Sequence, residues 1–145
     1  MAAKVTYEVL TDCLVKGKKE LFMYGIGVDI VSIGRIAKSL EKESFLTKVY
    51  GEREIALFAS ENKIKTNSLA ANFAAKEAFS KALGTGVRGF ELTDVEILRD
   101  SLGAPYFEFS GKAKEIVEDK KLDCKVSLSH EKDKAVAFVV IEVKR

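Results

Sequence analysis

The 145-residue sequence predicts an α+β domain on three observations: an alternating strand beginning near Tyr24, an alanine-rich helix from about Ser68 to Leu83, and two strand pairs filling most of the C-terminal half. From Tyr24 the chain places Tyr24, Ile26, Val28 and Ile30 on one face and Gly25, Gly27, Asp29 and Val31 on the other. Ser32 is positioned to cap a helix in which Ile33, Ile36, Ala37 and Leu40 recur at helical spacing, with Arg35, Lys38 and Lys42 on its outer face. Further helices are expected over Phe45 to Tyr50 and Glu52 to Ala59, separated by Gly51. Alanine is the best helix former and Gly84 suits the left-handed residue that ends a helix, so Ser68 to Leu83 is the longest helix expected. Asp94 to Arg99 and Pro105 to Phe109 read as strands joined by a turn at 101–104. Ser110 is positioned to cap a helix reaching Asp119. Lys125 to His130 and Ala135 to Val143 form the second pair, around Glu131-Lys132-Asp133.

Length matches one domain, and 47% hydrophobic with 32% charged residues fits a folded globular chain. Net charge is only +2, from 24 basic and 22 acidic residues, so no overall field marks a nucleic-acid binder. Cys13 and Cys124 are far apart and lack metal-ligand spacing, which points away from a zinc site or disulfide framework and toward a reducing cytoplasm. No apolar run is long enough to cross a bilayer, and Lys4, Glu8 and Asp12 interrupt any signal-peptide core. Residues 1–22 read either as an extension ahead of a natural start at Met23 or as an ordinary N-terminal helix; residues 23–145 read as the single domain.

Asp29 shares its strand face with Gly25 and Gly27, whose missing side chains leave room for a helix or ligand to approach the carboxylate. Alone, it also reads as a carboxylate bonded to the next helix N-terminus. On the long helix, a 100° step per residue gathers Ala71, Ala74, Ala75, Ala78, Phe79 and Ala82 on one apolar arc. Glu77 and Lys81 lie along one border of that arc, and Asn72 and Lys76 along the other. Glu77 and Lys81 read either as a solvated pair of little energetic weight or as functional groups. In the functional reading, Glu77 meets Asp29 around a hard cation while Lys81 reaches a phosphate one turn further on. Oxygen ligands without His or Cys favour magnesium, manganese or calcium, and magnesium bridging a diphosphate is the expectation. The amides of Gly84-Thr85-Gly86 can hold a phosphate, although a helix-ending glycine explains the same residues. His130, the only histidine, follows Val126 and Leu128 on one strand face, where a structural role is the commoner one.

Taken together, Gly25-Ile-Gly-Val-Asp29-Ile-Val, Phe73-Ala-Ala-Lys-Glu77-Ala-Phe-Ser-Lys81-Ala-Leu-Gly-Thr-Gly86, Gly103-Ala-Pro105 and Ser127-Leu-Ser-His130 closely resemble the holo-acyl-carrier-protein synthase family of phosphopantetheinyl transferases, in order and spacing, over nearly all of residues 23–145. The resemblance implies a 4'-phosphopantetheinyl transferase-like fold, with a small antiparallel sheet wrapped against the long helix, and a homotrimer with active sites at subunit interfaces. It implies that Asp29 and Glu77 ligate Mg2+, that Lys81 and His130 contact coenzyme A phosphates, and that Gly84, Thr85 and Gly86 seat the nucleotide. Arg35 matches the family's contact to an acidic acyl carrier protein, with Lys38 and Lys42 on the same basic face. Two positions depart from the pattern. Asn72 stands where many relatives carry an arginine near the nucleotide, which implies a phosphate contact weakened or supplied elsewhere. Val31 stands where larger relatives place another metal-binding carboxylate.

The implied reaction moves 4'-phosphopantetheine from coenzyme A to a carrier serine, releasing adenosine 3',5'-bisphosphate in support of fatty acid biosynthesis. Lys81 would act as cationic clamp or proton donor, and Glu77 or metal-bound water as proton acceptor. The competing readings are another magnesium-dependent phosphoryl transferase or hydrolase acting on a nucleotide, and a non-enzymatic coenzyme A-binding subunit.

Overall fold

Strand β1 (Leu21–Ser32) opens the computed structural model, which describes residues 21–144. The expectations for an N-terminal extension or helix, and Cys13, fall on residues 1–20, outside the described residues; Leu21 and Phe22 already belong to β1. Three short helices follow, α1 (Ile33–Ser39), α2 (Glu43–Val49) and α3 (Glu52–Phe58), then a two-residue hairpin of β2 (Ala59–Ser60) and β3 (Lys63–Ile64) that the sequence did not announce. The long helix α4 (Thr66–Leu83) begins two residues earlier than expected. A 3-10 turn at Leu92–Asp94 leads into β4 (Val95–Arg99), β5 (Pro105–Phe109), α5 (Gly111–Asp119), β6 (Leu122–His130) and β7 (Lys134–Lys144).

The main sheet is antiparallel with order β1-β7-β6, so the last strand lies between the first strand and β6. Its inner face packs on α4, whose Ala74, Ala75, Ala78 and Phe79 are fully buried. Phe79 anchors an aromatic cluster, with ring centroids 5.7 Å from Phe90, 5.5 Å from Phe107 and 5.2 Å from Phe109, which ties the β4-β5 hairpin to the same core. The antiparallel sheet and helix bear out the expected α+β class.

Close approach of β1 to α4 depends on two glycines. A methyl group built on Gly27 would fall inside the Ala78 carbonyl oxygen, and one on Gly25 inside that of Ala82. Both obstacles are backbone, so neither can swing aside. Small residues on both sides thus bring the strand carrying Asp29 against the helix carrying Glu77 and Lys81.

Some expectations need correction. The register of β1 against β7 shifts between Met23 and Gly25. That bulge turns Tyr24 off the face of Ile26, Val28 and Ile30, which are exposed, and onto the core, where its hydroxyl accepts from Lys120 Nζ at 3.1 Å. Ser32 caps α1 as expected, accepting from the Arg35 amide at 3.4 Å. Ser110 occupies the cap position of α5 without a side-chain hydrogen bond, and the Asp94 carboxylate lies against Gly111 there instead. Cys124 is a free, partly buried thiol, and burial pushes its pKa up to about 12, so it is an unreactive packing residue.

Candidate active site

Asp29 projects from the inner face of β1, where its side chain keeps 17% exposure. It sits opposite Ala137 on β7, a fully buried alanine that leaves the carboxylate unobstructed from that side. Lys81, in the last turn of α4 and 56% exposed, donates from Nζ to Asp29 Oδ1 at 3.0 Å and to the Val28 carbonyl at 2.9 Å. Glu77, one turn earlier, is half-buried. Desolvation pushes its carboxyl pKa up, the Asp29 carboxylate raises it further, and Lys81 pulls it back. Two carboxylates from separate elements therefore lie within electrostatic reach of each other, beside one ammonium. The like charges disfavour their joint ionisation, and a divalent cation between them would relieve the repulsion. The donor set fits a hard ion.

Among the described residues no group of three or more His, Cys, Asp or Glu side chains converges on one point. Val31 supplies no third carboxylate and packs into the core. Two protein oxygens leave coordination positions open for water and substrate, as magnesium commonly requires.

Immediately beyond α4, Gly84 and Gly86 take the left-handed backbone conformation, at φ 81° and 64°. Gly84 closes the helix by donating its amide to the Lys81 carbonyl at 3.0 Å. The loop surrounds an open depression of about 720 Å³ lined by Gly84, Thr85, Gly86, Arg88 and Gly89. Arg88 went unnoticed in the sequence because nothing marks a lone arginine after a glycine turn; here it puts a cation beside the loop amides. A second groove, of about 330 Å³, runs between Ile26, Gly27, Val28, Phe138 and Lys81.

His130 does not join this group within one chain. It is exposed at the end of β6, opposite Ala135, and β7 lies between it and Val31 of β1. Strand spacing puts those two backbones about 10 Å apart. Arg35, Lys38 and Lys42 do come together, lining with Ser39 and Phe45 a groove of about 360 Å³.

Asn72 lies apart from this group, in the interior. Asn72 is fully buried, donating to Glu54 Oε2 at 2.8 Å and to the Ile97 carbonyl at 2.9 Å, and accepting from Arg99 Nη2 at 2.9 Å. Its polar atoms are all engaged within the chain.

Residues 25–139 match the sequence model of the 4'-phosphopantetheinyl transferase superfamily. A holo-[acyl-carrier-protein] synthase of Clostridium beijerinckii is 44% identical over 119 residues, covering 81% of this chain and 96% of the relative. The crystal structure of the Neisseria meningitidis holo-[acyl-carrier-protein] synthase superposes with TM-score 0.76 at 37% identity, over 83% of this chain and 98% of that one. The Helicobacter pylori synthase in complex with coenzyme A gives TM-score 0.69 at 35% identity, over 80% and 98%. A match over most of the chain in sequence, joined to the same fold in solved relatives, places this protein in the 4'-phosphopantetheinyl transferase superfamily, among the holo-[acyl-carrier-protein] synthases.

Proposed function

We propose that this chain transfers 4'-phosphopantetheine from coenzyme A to a serine of an acidic apo acyl carrier protein, in the cytoplasm and in support of fatty acid biosynthesis. The observation that carries the reading is the meeting of Asp29, Glu77 and Lys81 at the β1-α4 contact, next to a glycine loop open to solvent.

Two carboxylates and an ammonium suit a hard divalent cation such as Mg2+ together with a diphosphate. When bound, the ion supplies Lewis-acid stabilisation of the charge developing on the diphosphate. Asp29 and Glu77 would hold it, and Lys81 would contact a substrate phosphate. The carrier serine oxygen forms a bond to the phosphorus bearing pantetheine as that phosphorus releases its bridging oxygen to adenosine 3',5'-bisphosphate. Lys81 neutralises or protonates the departing phosphate. Glu77, whose burial raises its proton affinity, is the chain's own candidate for the serine proton. The amides of Gly84 to Gly86, with Arg88, receive the nucleotide phosphates.

The arrangement also supports a homotrimer. Met23, Ile26, Val28, Ile30 and Phe138 are all exposed, an apolar surface beyond what scattered surface residues explain. A second copy against this surface would cover it and bring a neighbour's residues to the groove beside Lys81, which gives His130 a route to coenzyme A phosphates across the subunit boundary. Arg35, Lys38 and Lys42 around Phe45 fit an amphipathic acidic helix, combining charge with an apolar anchor.

Two measurements test the reading. Incubation with coenzyme A, Mg2+ and an apo carrier is expected to add one phosphopantetheine mass to the carrier by mass spectrometry, and a chelator to stop it; no shift with several carriers would favour a nucleotide hydrolase instead. Arg35→Glu is expected to raise KM for the carrier about tenfold with kcat little changed, and added salt to raise the wild-type KM. A KM indifferent to both would contradict the docking face.

A further inference from the structure

We propose that Glu54 and Lys76 are positioning residues for the transfer reaction: their buried ion pair fixes the roll and axial position of α4 and so holds Glu77 and Lys81 opposite Asp29. The proposal rests on the roles given above to Glu77 and Lys81.

The face that α4 turns to β1 is close but smooth. Alanines over glycines bring the backbones together, yet alanine offers no protruding side chain to lock into a groove, so this contact resists rotation and sliding of the helix weakly. Apart from the partly exposed Lys81 bonds to Asp29 and the Val28 carbonyl, the directional contacts lie on the opposite border, where they are buried. Lys76 is 0% exposed, and its Nζ donates to Glu54 Oε1 at 2.6 Å, to the Val95 carbonyl at 2.5 Å and to the Leu92 carbonyl at 2.9 Å. Those three oxygens come from α3, from the start of β4 and from the 3-10 turn, so one ammonium ties α4 to three separate segments.

Glu54, also 0% exposed, is held as firmly. It accepts from the Gly51 amide at 3.1 Å, the Ile97 amide at 3.3 Å and Asn72 Nδ2 at 2.8 Å, besides Lys76. Burial pushes the Glu54 pKa up and the Lys76 pKa down, and each charge pulls its partner back. Such a pair contributes little stability beyond what apolar side chains of equal volume would give, because desolvation offsets the attraction. What it adds is geometry. Lys76 immediately precedes Glu77, so a shift of the ammonium is carried by the helix backbone to the carboxylate on the active-site side.

The experiment compares Glu54→Gln/Lys76→Met, which removes both charges at similar volume, with Glu54→Asp, which keeps both charges but shortens the reach by one methylene. Thermal unfolding and carrier modification are measured for each, with Glu77→Ala in parallel. Both positioning variants are expected to fold, the double variant with a lowered Tm because Lys76→Met leaves the Leu92 and Val95 carbonyls without their donor. Both are expected to lose about 10- to 100-fold in kcat, the cost of misplacing reacting groups by about 1 Å. KM for the carrier is expected to stay within about threefold, since the face of Arg35, Lys38 and Lys42 is untouched, whereas KM for coenzyme A is free to rise because Lys81 and the Gly84 loop move with α4. A purely structural pair would lower Tm as well but leave the kcat of folded protein alone. Wild-type kcat in either folded variant overturns the proposal, and so does a double variant that cannot fold. Full activity in Glu77→Ala would overturn the underlying site assignment, whereas an inactive Glu77→Ala beside a fully active double variant would overturn the positioning role alone.

Discussion

Asp29→Ala and Glu77→Ala are each expected to reduce carrier modification by roughly a thousandfold or more while leaving the fold intact, as removal of one of two protein ligands to a catalytic ion should. The two losses should not add, because either variant already dismantles the same site. Stability should respond differently from activity. Glu77 has its pKa raised by burial and by the Asp29 carboxylate, so the folded chain binds its proton more tightly than the unfolded chain does, and its charge opposes folding at neutral pH. The penalty is absent below the unfolded-state pKa and grows as pH rises through the folded-state value. Glu77→Ala should therefore unfold at the same temperature as wild type or a higher one near neutral pH, and lose any such advantage in acid. An inactive variant with undiminished Tm is the expected signature. Reduced Tm together with partial activity would assign Glu77 to packing instead.

Gly27→Ala is expected to be the most damaging single-methyl change in the described chain. The added carbon would collide with the Ala78 carbonyl oxygen and crowd the Ala82 amide nitrogen, 2.9 Å away, and both are fixed in helix backbone. Overpacking against flexible side chains costs about 1–3 kcal/mol, and here there is no side chain to yield, so roughly 3 kcal/mol or more is expected. For a domain of this size that lowers Tm by about 10 °C. Whatever folded protein remains should be a poor enzyme, because relief of the clash requires α4 to move away from β1, separating Glu77 and Lys81 from Asp29. A Gly27→Ala protein with wild-type Tm and rate would contradict the close contact on which the site depends.

Much of this contact was legible in the sequence, because its determinants are local. Gly25 and Gly27 alternate with apolar residues on one strand, and the alanines of α4 recur at helical spacing, so each element carries half of a close-packed interface. Asp29, Glu77 and Lys81 could be placed on those faces and their borders from periodicity, which left their meeting as one of two readings; the resemblance to a known family favoured it. The turn at Gly84 was equally plain, since a helix ending in Gly-Thr-Gly has few other conformations open to it.

What the sequence hid is nonlocal. Strand order β1-β7-β6 depends on pairing between residues more than a hundred positions apart, and no alternation pattern records which edge a strand will join. The bulge beside Tyr24 has no local marker, so a period-2 count assigned its ring to the wrong face. Lys76 and Asn72 read as the polar border of an amphipathic helix because charged and amide side chains are seldom buried without partners. Their partners, Glu54 and Arg99, lie on α3 and β4, and nothing in either stretch announces them. The sequence likewise does not tell that β7 lies between His130 and β1 within one chain.

The claim most in need of a direct test is that Asp29 and Glu77 share one divalent ion against a diphosphate. Titrating Mn2+ into the wild-type chain with coenzyme A present, and following the paramagnetic signal of the free ion, measures that sharing without reference to turnover. Wild type is expected to show a saturable site that is lost in both Asp29→Ala and Glu77→Ala. A site of unchanged affinity in either variant would contradict the sharing.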